Sequence, residues 1–257
     1  MGRVDIITAK YMTNAPVILK VKDPPDWDDD NEEYHPNLPP LPQSILFVSP
    51  PATGKTNAIV NLLLSPSYYR GRFSRIFIIS PTIFLDKSAH ALREDPDVDI
   101  YSEYSDALVD AIIQFQREAG ENAERIAVIF DDIIQLPGVT HRSSCYSMIS
   151  RFRHVTKGGL VVYASQMLKG VPPLIRCCAK IVILGNPIQS DKERKKMAEE
   201  WGAMYGGEES FLSLVAKAHR KGRFNFAVLR LDLNPAELWE NWEHKLYPAA
   251  QDNVDDI

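Results

Sequence analysis

An unbroken apolar run, Ser44-Ile45-Leu46-Phe47-Val48-Ser49, opens directly into Pro50-Pro51-Ala52-Thr53-Gly54-Lys55-Thr56. Apolar residues then recur at Ala58, Ile59, Leu62 and Leu63, the spacing of one helix face. Strand, tight turn and helix in that order, with Gly-Lys-Thr at the helix start, describe a P-loop, whose usual form is G-x-x-x-x-G-K-[ST]. Ser49 stands where the first glycine belongs. Such a loop turns backbone N–H groups and a helix N-terminus toward an anion. Gly54 lets the backbone approach phosphate without a Cβ clash. Lys55 is expected to reach the β- and γ-phosphates, and the Thr56 hydroxyl to ligate Mg²⁺. The residues expected to hold the nucleotide are Ser49, Pro50, Pro51, Ala52, Thr53, Gly54, Lys55, Thr56 and Asn57. The ligands this predicts are a nucleoside triphosphate and Mg²⁺. Ser49 is small enough to leave the loop open, and Pro50-Pro51 stiffens it.

Further apolar runs follow at Arg75–Ser80, Ile126–Phe130, Leu160–Ala164 and Lys180–Leu184, with a helical pattern over Asp106–Ala119 ending before Gly120. Nearly continuous apolar strands separated by helices predict an α/β fold. Its sheet is mostly parallel and covered by helices on both faces, a RecA-like P-loop core. After Gly185 the pattern changes to charged helices over Ser190–Met204 and Glu208–His219, then a late strand within Phe224–Leu231. Asn234-Pro235 reads as the cap of a final helix carrying Leu238, Trp239 and Trp242. Upstream, Asp23–Glu33 is acidic and Pro36, Pro39, Pro40 and Pro42 follow, so this part reads as a linker, with Pro16-Val17-Ile18-Leu19 as a short strand before it. The expected division is 1–43 as arm and linker, 44–185 as ATPase core, and 186–257 as a helical extension with one late strand.

Ile126-Ala127-Val128-Ile129-Phe130 ends in Asp131-Asp132, an apolar strand delivering two carboxylates, as in a Walker B motif. Asp131 is expected to hold the metal, directly or through water, and Asp132 to polarise the attacking water. Many such enzymes carry Glu at the second place, and Asp is one methylene shorter. The run Leu160–Ala164 ends in Ser165-Gln166, which sets Gln166 at the carboxyl edge of a parallel sheet, where ligands bind. There it can report on the γ-phosphate, or be an ordinary polar strand end. Arg176, in Val171-Pro172-Pro173-Leu174-Ile175-Arg176, reads as an exposed turn residue that is either a solvent-facing arginine or a finger toward a neighbouring subunit's γ-phosphate.

The formal net charge of -5 excludes a uniformly basic nucleic-acid binder but not a local basic face. Three basic clusters stand out: Arg142 with Arg151, Arg153, His154 and Lys157; Arg194-Lys195-Lys196; and Lys217, His219, Arg220, Lys221 and Arg223. The second, interleaved with Glu193, Glu199 and Glu200, reads as helix ion pairs. The other two read equally as phosphate contacts or as solvated faces. Three cysteines, Cys145, Cys177 and Cys178, give an odd count with no disulfide spacing. With neither a signal peptide nor a membrane-spanning run, a soluble intracellular protein without direct membrane insertion is expected.

The order of these motifs resembles the genome-packaging ATPases of large double-stranded DNA viruses, of the poxvirus and giant-virus type in the FtsK–HerA group. The resemblance runs over about residues 44–185. It is carried by the P-loop, Phe77–Thr82, Ile129–Asp132, Arg151–Gln166 and Val171–Arg176. It implies an ATP-driven motor, typically a homo-oligomeric hexameric ring, that pulls double-stranded DNA into a capsid. A capsid or membrane-vertex protein is an implied partner, and the virion or host cytoplasm an implied location. Lys55 and Thr56 match the family's nucleotide positions, Asp131 and Asp132 its acidic pair, Gln166 its sensor and Arg176 its finger. A small-molecule kinase would use the same loop but needs an acceptor pocket and an arginine-rich lid, neither of which is recognisable. A non-catalytic scaffold module would not need the acidic pair or Gln166.

Overall fold

The computed structural model describes residues 36–248 apart from 134–135, 137–138, 141 and 189. The strand expected at Pro16–Leu19 and most of the acidic linker lie outside the described residues. Within them the chain builds one sheet of nine strands in the order β3-β2-β4-β5-β1-β6-β7-β8-β9. These are β1 (Gln43–Val48), β2 (Arg75–Ile79), β3 (Val98–Tyr101), β4 (Ile126–Asp131), β5 (Leu160–Ser165), β6 (Ile181–Leu184), β7 (Ala227–Arg230), β8 (Glu237–Glu240) and β9 (His244–Leu246). The first six run parallel, and β7, β8 and β9 add on antiparallel.

The apolar runs are buried because each central strand is covered on both sides. In β1, Leu46 and Val48 face one core, while Ile45 and Phe47 face the other. The first core lies under α3 (Asp106–Ala119), α4 (Ser144–Val155), α5 (Pro173–Cys178), α6 (Asp191–Trp201) and α7 (Glu208–Ala218). The second lies under α1 (Lys55–Leu64) and α2 (His90–Glu94). α3 begins with the Ser105 hydroxyl accepting from Leu108 N, and α6 with Ser190 accepting from Glu193 N. Both are ordinary side-chain caps that occupy free N–H groups at a helix start.

The helix expected after Pro235 is instead the pair β8–β9. Leu238 is buried at 1% exposure and Glu240 at 6%, while Glu237 and Trp239 between them are half-buried, a period of two. Trp239 pairs with Val228 and Glu240 with Ala227, so the edge of the main sheet supplies the partners that fix this segment as strand. Glu240 is tolerated inside because Asn225 Nδ2 donates to it at 2.8 Å and Lys221 Nζ sits 2.9 Å away.

The order of the central strands fixes the site. β5 lies between β1 and β4, with Val48 beside Ser165 and Asp131 beside Ala164. The main-chain ladder continues past the strand ends, with Ser49 N donating to Ser165 O at 2.9 Å and Asp132 N to Ala164 O at 3.0 Å. The P-loop, Gln166 and Asp131-Asp132 therefore leave the sheet side by side at its carboxyl edge.

Candidate functional site: a P-loop cleft

The P-loop is held from inside. Ser49 and Thr53 are fully buried, their hydroxyls share a short hydrogen bond, and Thr53 Oγ1 also donates to Pro50 O at 2.6 Å. The serine in place of the first glycine needs room, and Gly185 at the end of β6 supplies it. A Cβ on Gly185 would lie 1.9 Å from Ser49 Oγ. Gly54 closes the turn with φ 90°, in the left-handed region that L side chains rarely adopt. No side chain caps α1 and no acidic residue occupies its first turn, so its leading N–H groups remain free for an anion.

Lys55 is 9% exposed, and its ammonium lies between the carboxylates, 2.8 Å from Asp131 Oδ1 and 2.8 Å from Asp132 Oδ2. Ser80, at the end of β2, donates to Asp131 Oδ2 at 2.8 Å. Gln166 Nε2 donates to Asp132 Oδ2 at 3.1 Å. Asp132 itself has φ 52°, a backbone conformation uncommon for a non-glycine residue and one that accumulates at functional sites.

These groups open into a cleft of about 610 Å³, within the usual size of small-ligand sites. Pro50, Pro51, Ala52, Gly54, Lys55, Thr56 and Asn57 all border it, together with Asp131, Asp132 and Gln166. Of the expected nucleotide-binding residues, Ser49 and Thr53 alone do not line it, and they act on the loop from behind. Among the contributors that the expected site residues left out are Ser80, Leu85, Asp86 and Phe224. Asp86 borders the cleft beside Thr56, and Ser88 N donates to its Oδ1 at 2.8 Å. Burial pushes its carboxyl up, but hydrogen bonds from Thr56 and Ser88 and the charge of Arg93 outweigh that and hold it below the ordinary value. The available signal was its place just after Phe77–Thr82, on the segment leaving β2, the strand paired with the one that carries Asp131.

Arg176 departs from expectation. It lies in α5, not on an exposed turn, because Pro172 and Pro173 start a helix there. Its guanidinium is 10% exposed and donates to Glu200 on α6 at 2.6 Å. It is not among the residues lining the cleft. Glu193 also differs from its expected place in a helix ion pair. It accepts from Leu168 N at 2.8 Å and Lys169 N at 3.3 Å, tying α6 to the turn that follows Gln166. Lys195 and Glu199 do form the expected i,i+4 pair, at 3.9 Å and exposed.

The basic residues do not converge in one place. Arg142 precedes α4, whereas Arg151, Arg153 and His154 sit near its far end, about 15 Å along the axis by helical rise. In the third cluster His219 is half-buried, with Nε2 donating to Leu184 O at 3.0 Å, and Lys221 is paired with Glu240. Lys217, Arg220 and Arg223 are exposed.

The donor set fits a phosphate with a divalent cation. Buried Lys55 Nζ is held only by its ion pairs with Asp131 and Asp132, so a phosphate oxygen can take one of its N–H donors and a cation the carboxylate oxygen it leaves. No group of three His, Cys, Asp or Glu side chains able to hold a metal occurs among the described residues. An ion at Thr56 and Asp131 would therefore need phosphate oxygens to complete its shell, as Mg²⁺ commonly does.

Fold and cleft together are those of a P-loop NTPase with a RecA-like α/β core. No protein-family model and no curated protein matches the sequence. Among solved structures, the chain is similar to the genome-packaging NTPase B204 of Sulfolobus turreted icosahedral virus 2. In complex with ATP-γS, that structure aligns at a TM-score of 0.52 and 12% identity, over 76% of this chain and 95% of B204. The complex with AMPPCP gives 0.53 and 12%, over 76% and 96%. The DNA-packaging ATPase B204 of Sulfolobus turreted icosahedral virus gives 0.54 and 10%, over the same shares. At such identities the likeness is one of fold, and the expected resemblance to packaging ATPases is found at that level. No helix among the described residues is long and apolar enough to cross a membrane.

Proposed function

We propose that this chain is an ATP-hydrolysing motor that moves double-stranded DNA, as a homo-oligomeric ring that packages a viral genome into its capsid. The observation that carries the reading is the convergence of Lys55, Thr56, Asp131, Asp132 and Gln166 on one cleft at the carboxyl edge of the sheet. Lys55 binds the β- and γ-phosphates, and Thr56 and Asp131 hold Mg²⁺, which when bound neutralises charge on the phosphate oxygens. Asp132 takes the proton of the attacking water, and Gln166, already hydrogen-bonded to Asp132, orients that water. The fold-level likeness to viral packaging NTPases supports DNA as the cargo, and the exposed cations Arg142, Arg151, Arg153, Lys217 and Arg220 are the candidate phosphate contacts. Phosphate release by the wild-type chain and by Lys55→Ala, with and without double-stranded DNA, tests this. Stimulation by DNA and loss in Lys55→Ala are expected. A wild-type chain that assembles but hydrolyses nothing with DNA present would refute the motor.

A further inference from the structure

The wall of the cleft also carries two apolar side chains that phosphate chemistry does not use. Phe224 and Leu85 border it, and they are 64% and 85% exposed. A large apolar side chain left in water is ordinary when single, but two on the wall of one polar cleft form a surface with a purpose. Phe224 is also held in place. Its ring edge rests on the P-loop, where a Cβ on Gly54 would lie 3.1 Å from Phe224 Cδ1. The Arg223 guanidinium lies 5.8 Å from the ring centroid. The segment that carries it is pinned on both sides. Asn186 Nδ2 donates to His219 O and Gly222 O, Asn225 Nδ2 donates to Glu240, and Phe226 N donates to Asn241 Oδ1. An exposed aromatic ring fixed by its backbone is a prepared contact, since its ordering cost has already been met in folding.

Asn57, directly after Lys55 and Thr56, borders the same cleft. On its other side Phe224 walls a separate cavity of about 230 Å³, lined also by Ala58, Asn61, Phe226 and Asn241. From this placement we infer that Phe224 is the platform on which the nucleobase of the triphosphate stacks, with Leu85 as a second apolar wall. The inference rests on the nucleotide reading of the cleft and adds the part of the ligand that the P-loop does not touch. A phenyl ring offers a π-face and no hydrogen bond, so it accepts any base: the seat favours nucleoside triphosphates as a class over bare triphosphate.

Calorimetric titration of the full chain with Mg-ATP, Mg-GTP and Mg-tripolyphosphate separates the two halves of the site. Phe224→Ala is expected to weaken ATP and GTP alike by about 5- to 150-fold, the usual worth of one stacked base, with tripolyphosphate within twofold of wild type. Phe224→Trp is expected to restore both nucleotides. Three results overturn the platform while leaving the phosphate site standing. They are wild-type ATP affinity in Phe224→Ala, equal loss of ATP and tripolyphosphate, which would make the ring a prop for Gly54, and a wild-type chain binding ATP no better than tripolyphosphate. A wild-type chain that binds neither ligand overturns the nucleotide reading itself and the platform with it.

Discussion

Replacing Asp132 by Asn separates binding from chemistry at this site. Asp132 Oδ2 lies 2.8 Å from Lys55 Nζ, and the ammonium must also serve the γ-phosphate. A phosphate oxygen accepting from the same nitrogen at about 2.8 Å lies at most about 5.6 Å from Asp132 Oδ2. Two unit negative charges at that separation repel by about 3 kcal/mol at an effective dielectric of about 20, and by about 0.7 kcal/mol in bulk water. The Asp132 side chain is 17% exposed on an open cleft, so a value between these limits, about 1–2 kcal/mol, applies. Asp132→Asn keeps shape and size, and Asn Oδ1 can still accept from Gln166, but the repulsion is gone and Lys55 is shared by one carboxylate fewer. Mg-ATP is therefore expected to bind about 5- to 30-fold more tightly. Hydrolysis is expected to fall by about 10²- to 10⁴-fold, because the proton acceptor for water is lost. Calorimetry with Mg-ATP and a single-turnover phosphate-release assay measure the two effects on one preparation. Weaker binding would show that the carboxylate supports the nucleotide site rather than opposing it. Hydrolysis within threefold of wild type would remove Asp132 from the chemistry.

Other substitutions probe the frame around the cleft. Arg176→Met leaves Glu200, 23% exposed, without its partner and is expected to cost about 1–3 kcal/mol, or roughly 3–10 °C in melting temperature. An unchanged melting temperature with a hundredfold loss of hydrolysis in the assembled protein would support the finger role for this arginine. His219 is held below its ordinary value of 6.5 by burial, opposed by the hydrogen bond from its Nε2–H to Leu184 O. The unfolded chain takes up a proton near 6.5 that the folded chain does not, so stability falls as pH drops below about 6.5. The slope from this group is at most about 1.4 kcal/mol per pH unit. Guanidinium unfolding at pH 7.5 and 5.5 should show a smaller loss in His219→Asn than in wild type, and equal losses would reject the assignment.

Much of this protein was legible without coordinates. Fully buried strands in a two-sided sheet must be apolar along their length, so β1, β2, β4, β5 and β6 announce themselves as runs. α4 was less visible because serines at 144, 147 and 150 dilute a face formed by Cys145, Met148, Ile149 and Phe152. β8 was misread because Asn-Pro before Leu238, Trp239 and Trp242 satisfies a helix pattern as well as a strand. Only the free edge of β7 decided between them.

By itself the sequence determined the residue types of the candidate site: a loop with a lysine and a hydroxyl where a strand gives way to a helix, and two carboxylates at the end of another strand. Tertiary structure decided their adjacency. Asp131 is 76 residues beyond Lys55, and it meets that lysine because β5 enters the sheet between β1 and β4 and sets Gln166 beside both. Such neighbours are chosen by strand order, which apolar periodicity does not encode. The same holds for Arg176, drawn onto Glu200 by the packing of α5 and α6, and for Phe224. Nothing local ties that phenylalanine to a loop 170 residues earlier, yet its ring rests on Gly54 because β7, which follows it, pairs with β6 next to the P-loop strand.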